Sequence, residues 1–76
     1  MMTLAQTSEN LVYTVKKVDG DTRFISRITS VGITNGGTVK VIRNTPKMPL
    51  LVYSRDTMLA INKKEAGNIQ VEVSST

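Results

Sequence analysis

Asp19 and Asp21, separated by Gly20, are the one pair of carboxylates close enough in sequence to divide acid and base work between them. The same three residues have the composition of a turn that opens a helix, and that reading takes precedence here. The other carboxylates, Glu9, Asp56, Glu65 and Glu72, are scattered. Histidine and cysteine are both absent. The chain therefore has no thiol nucleophile, and no imidazole to activate a serine or move protons near neutral pH. Structural zinc loses its two preferred ligand types, and ferrous iron, which favours nitrogen donors beside carboxylates, is offered only dispersed oxygens. No catalytic residue, no metal site and no cofactor is expected.

Recognition is the remaining class of function. The net charge of +4 suits anionic partners, yet the ten basic residues are spread along the chain with no run longer than two. A polybasic membrane-binding segment would be denser. Barrels that read single-stranded nucleic acid add stacking aromatics to a basic groove. Here Phe24, Tyr13 and Tyr53 are the only aromatic residues. Phe24 and Tyr13 fall on inward-facing positions, which leaves Tyr53 alone and speaks equally against a groove for proline-rich peptides. Protein docking is expected ahead of nucleic-acid binding. The longest apolar run, Leu50-Leu51-Val52-Tyr53, is far short of the roughly 20 residues that span a bilayer. The opening Met1-Met2-Thr3-Leu4-Ala5-Gln6 lacks the pattern of a secretory signal, so a cytoplasmic location is expected.

The elements that would carry such a surface follow the strand period. With 76 residues the chain is read as one domain, residues 1–76, with little core to spare and no disulfide to supplement it. A first strand over Leu11–Val18 places Leu11, Tyr13 and Val15 inward, and a bulge at Lys16-Lys17 is needed to bring Val18 to the same side. Asp21 or Thr22 caps a helix from about Arg23 to Val31, with Phe24, Ile25, Ile28 and Val31 as its apolar stripe. Gly32 ends that helix in the left-handed conformation, and Ile33 folds back onto Ile28. A turn over Thr34–Gly37 leads to a second strand, Thr38–Arg43, with Val39 and Val41 inward. Leu50–Ser54 and Thr57–Ile61 form the third and fourth strands around a tight turn at Arg55-Asp56. Asn62 caps one helical turn stopped by Gly67, and Ile69, Val71 and Val73 alternate in a fifth strand. Five short strands and one convincing helix predict a mainly β, partly open small barrel.

These segments resemble a known family. Val31-Gly32-Ile33-Thr34-Asn35-Gly36 is similar to its helix end and turn, Thr38–Arg43 to the strand that follows, and Pro49-Leu50 to the start of the next. Leu59-Ala60-Ile61, Glu65-Ala66 and Ile69-Gln70-Val71 resemble its C-terminal signature, and Thr3-Leu4 with Tyr13 and Val15 its N-terminal pattern. The family is that of ferrous iron transport protein A, FeoA, and the resemblance runs over nearly the whole chain. Thr7-Ser8-Glu9-Asn10 replaces the usual proline-glycine pair, and Arg55-Asp56 stands where a glycine is frequent. The resemblance implies a five-stranded SH3-like barrel in the bacterial cytoplasm, without enzymatic activity, associated with the FeoB-type membrane GTPase transporter that imports ferrous iron. Similar domains occur at the C-terminus of metal-dependent transcriptional repressors, and a stand-alone relative of those, or a nucleic-acid-associated barrel, is the alternative.

The surface expected to meet a partner is the loop Pro46, Lys47, Met48 and Pro49 with Leu51 and Tyr53 of the following strand. If Leu50 and Val52 point inward, Leu51 and Tyr53 point outward, and a methionine on a proline-bounded loop adapts readily to partners. The same residues can instead cover the barrel mouth or pair two copies in a homodimer.

Overall fold

The computed structural model describes residues 2–74. Six strands run in chain order: β1 (Met2–Thr3), β2 (Val12–Val18), β3 (Thr38–Arg43), β4 (Leu50–Ser54), β5 (Thr57–Ile61) and β6 (Ile69–Val73). A helix, α1 (Thr22–Ser30), links β2 to β3, and one turn, α2 (Lys63–Ala66), links β5 to β6. A 3-10 turn at Leu4–Gln6 follows β1. All pairings are antiparallel, in the order β1-β6-β2-β3-β4-β5. The expected five strands are thus six, and the sheet does not close: β1 and β5 are its two edges. The added strand is two residues long, too short to show a period, and exists because β6 offers Val71 and Gln70 as partners.

Alternation within the strands builds the interior. Tyr13, Val15, Val39, Val41, Leu50, Val52, Ile69 and Val71 are fully buried from one face of the sheet. The pairing of β2 with β6 shifts register between Val15 and Lys17, the expected bulge, and Val18 packs against the core from its far side. Leu4, Ile28, Ile33, Ile61 and Ala66 complete the cluster from the turns and helices. Burying such a set gives about 1.5–3 kcal/mol per large side chain, which opposes the ordering entropy of a short chain.

Local chemistry fixes α1. The Asp21 carboxylate accepts the Phe24 N–H at 2.8 Å, satisfying one donor of the first turn. At the other end the Gly32 and Ile33 N–H groups reach the Thr29 and Ile28 carbonyls at 3.0 and 3.2 Å, with Gly32 at φ +107° and Ile33 buried. This is the closure that left-handed glycine permits. Gly20, at φ +122°, is required for another reason: a Cβ there would stand 2.9 Å from the Phe24 ring.

Three apolar residues depart from the expected interior. Val31 lies past the end of α1, as its C-cap, and is exposed, leaving Ile28 as the buried member of the stripe with Phe24 and Ile25 half-buried. Leu11 precedes β2 and is exposed. Val73 retains its register opposite Tyr13 yet is exposed at the end of β6. Strand parity sets which way a side chain points, whereas cover over it depends on distant elements.

Candidate docking surface

The six carboxylates are all engaged structurally. Asp19 accepts from Gln70 Nε2 at 2.9 Å and lies 3.4 Å from Lys17 Nζ, while Asp21 caps α1. Glu9 accepts the Asn44 N–H, and Asp56 accepts from Tyr53 Oη at 3.1 Å. Glu65 pairs with Arg27, and Glu72 with Lys16. Asp19 and Asp21 thus serve the turn, as their flanking of Gly20 suggests. Among the described residues no three Asp, Glu, His or Cys side chains come together in a group suited to a metal ion.

The loop between β3 and β4 is anchored where it leaves β3. Asn44 Nδ2 donates to the Thr7 and Ala5 carbonyls at 2.7 and 3.2 Å, tying the strand end to the N-terminal segment. Lys63 Nζ donates to the Thr45 carbonyl at 2.8 Å from α2. Beyond these anchors Lys47 adopts φ +66°, and Pro46, Lys47, Met48 and Pro49 are all exposed, Met48 at 52%. Lys47, Met48 and Pro49 face Asn62 and Lys63 across an open depression of about 350 Å³.

Register carries this surface onto the sheet. Leu50 and Val52 are buried, so Leu51 and Tyr53 lie on the outer face, Leu51 half-buried and Tyr53 39% exposed. Lys40 and Met58 flank Tyr53 on neighbouring strands, and Arg43 and Ala60 flank Leu51. The outer face of β3–β5 is therefore an apolar strip with a basic border. Loop residues 46–49 lie beside it in the chain, immediately before Leu50. Met58, Ala60, Asn44 and Lys63 belong to this region and escaped sequence reasoning. The outward parity of Met58 and Ala60 is readable from β5 itself. The ties of Asn44 and Lys63, spanning up to 39 residues, leave no local signal.

A family model of the FeoA domain matches residues 2–73. The chain belongs to the FeoA family. This membership supports a role in ferrous iron transport, and the family is a small transport-associated domain rather than an enzyme family. A crystal structure of the iron uptake regulatory protein FeoA is 24% identical, covering 92% of this chain and 93% of its own, with a TM-score of 0.87. The zinc complex of Stenotrophomonas maltophilia FeoA, described as a prokaryotic SH3-domain protein, is 25% identical over 95% of this chain and 91% of its own, with a TM-score of 0.82. ScaR with bound zinc is 16% identical, and the chain covers 37% of it while matching over 97% of its own length at a TM-score of 0.87. At such identity the likeness to ScaR is one of fold. No curated protein sequence matches the chain. The fold of this FeoA-family chain is SH3-like, with its sheet open between β1 and β5.

Proposed function

We propose that this FeoA-family chain is a cytoplasmic accessory protein of bacterial ferrous iron uptake. In this reading, residues 1–76 act as one domain that docks on the cytoplasmic part of the FeoB-type GTPase transporter and modulates it. The observation that carries the reading is the exposed strip around Met48, Leu51 and Tyr53 in a domain whose carboxylates are all committed to structural contacts. Exposed apolar residues grouped on one face and rimmed by polar ones mark interaction sites. No described helix is long and apolar enough to cross a membrane, consistent with the transporter supplying the membrane component. Modulation by docking asks nothing of this chain chemically: contacts that differ between two transporter conformations suffice to shift their balance.

Titrating the purified protein into the transporter's soluble cytoplasmic domain tests this. Saturable binding is expected, and Met48→Glu weakens it by at least about tenfold by placing a charge in a desolvated contact, with the unfolding midpoint unchanged. Leu51→Glu acts in the same direction. Failure to bind that domain, with salt-dependent binding to oligonucleotides instead, overturns the proposal in favour of the nucleic-acid alternative. Dimers by sedimentation that Met48→Glu dissociates, again without transporter binding, assign the face to self-association.

A further inference from the structure

The free edge of β5 is a second feature of this region, distinct from the outer face. The two-residue turn at Arg55-Asp56, with φ values of 51° and 62°, places Ser54 opposite Thr57. In such a hairpin the alternate residues Thr57, Leu59 and Ile61 exchange hydrogen bonds with β4. The N–H and C=O groups of Met58 and Ala60 then point away from the sheet, and among the described residues no backbone partner meets them. Beside this edge lies a groove of about 160 Å³ between α1 and β5, walled by Ile28, Val31, Leu59 and Ile61. The Arg27–Glu65 pair stands on its lining. Arg55 lies against Gly32 at the C-terminal end of α1, where a Cβ would be 3.3 Å from its Cδ.

Charge says what the edge suits. Residues 40–64 hold six cations (Lys40, Arg43, Lys47, Arg55, Lys63, Lys64) and one carboxylate, Asp56. The rest of the chain holds four cations and five carboxylates, so the excess of positive charge belongs entirely to this segment. The ion pairs among the described residues, Lys16–Glu72, Lys17–Asp19 and Arg27–Glu65, all lie outside it. Arg55 precedes β5, and Lys63 and Lys64 follow it. A second copy of the chain adding edge to edge would bring two such basic segments together, and like charges across an interface cost several kcal/mol.

We infer that β5 accepts, as an added strand, an extended segment of another protein with apolar residues at alternate positions and acidic residues at its ends. Its main chain pairs with Met58 and Ala60. Every second side chain enters the groove against Val31 and Leu59, and the terminal carboxylates meet Arg55 at one end and Lys63 and Lys64 at the other. Main-chain pairing supplies affinity and alternate pockets supply selectivity in this mode. The inference borrows from the docking reading only that the partner is a protein.

The test uses the full chain, 15N-labelled, and a blocked peptide of sequence Glu-Glu-Val-Thr-Val-Thr-Val-Glu-Glu. Saturable binding is expected, with hydrogen exchange of the Met58 and Ala60 amides slowed at least about tenfold. The same peptide with lysine for glutamate should bind at least about tenfold more weakly, and Arg55→Glu should weaken the acidic peptide similarly. Ala60→Pro removes an outward N–H without breaking the ladder to β4, so it should abolish binding and leave the fold intact. Should that variant unfold, peptides N-methylated at alternate residues replace it: one parity binds and the other does not. Equal binding of acidic and basic peptides overturns the inference, as do protection confined to Leu51 and Tyr53 and binding only to vesicles of anionic lipid or to oligonucleotide. Loss of peptide binding while the transporter domain still binds refutes strand addition and spares the docking reading; the reverse result refutes docking on that transporter alone.

Discussion

The side of the sheet built from β1, β6 and β2 and the side built from β3, β4 and β5 are made from similar strands but finished differently. On the first side, polar groups are matched. Lys16 pairs with Glu72, Asp19 with Lys17 and Gln70, and the Ser8 N–H with Tyr13 Oη at 2.8 Å. Leu4 sits fully buried on the 3-10 turn, whose end is tied by Thr7 Oγ1 to the Leu4 carbonyl at 2.7 Å. On the second side, Lys40, Arg43, Lys47 and Arg55 make no ion pair among the described residues, and Met48 and Met58 are each 52% exposed. A single small core can thus be closed on one side and leave the other unmatched. The unmatched side is the one to which the proposed docking is assigned.

The sharpest way to break this contrast is to truncate Leu4. Leu4→Ala should destabilise by about 2–5 kcal/mol in urea unfolding, since Leu4 is fully buried in the core and its truncation leaves a cavity. A smaller loss would mean that the N-terminal segment is only loosely attached to the core. Gly32→Ala comes next, with roughly 1–2 kcal/mol from the left-handed backbone alone. Its added Cβ also pushes on Arg55, so the shift should reach the β5 side of the molecule, visible as amide changes at residues 55–58. The smallest effect belongs to the surface pairs: Glu72→Gln should change stability by less than about 0.5 kcal/mol, because Lys16 and Glu72 are both substantially solvated at 3.7 Å. Lys40→Gln should be equally mild in unfolding. Only its effect on partner binding would separate the two sides.

Much of the fold was legible because it rests on short-range rules. The cap at Asp21, the closure at Gly32 and Ile33, the bulge near Lys16 and the bounds of β3, β4 and β5 each depend on a few neighbouring residues. The outward direction of Leu51 and Tyr53 follows from the burial of Leu50 and Val52. Leu11, Val31 and Val73 depart from the inward expectation at the ends of their elements, where orientation is local but cover is not. Two residues of β1 could not announce themselves, since their pairing is decided by β6, nearly the whole chain away. The basic excess of residues 40–64 is plain in the sequence once a boundary is drawn. The reason to draw it there comes from the sheet order.

By itself the sequence determined the elements other than β1 and the 3-10 turn, the parity of the strands and the lack of imidazole and thiol chemistry, since composition and local periodicity suffice for these. Only the tertiary structure decided that the sheet stays open at β5, that Met58 and Ala60 join Leu51 and Tyr53, and that the positive excess borders them. Those properties are relations among strands far apart along the chain, and register rather than sequence spacing brings them together.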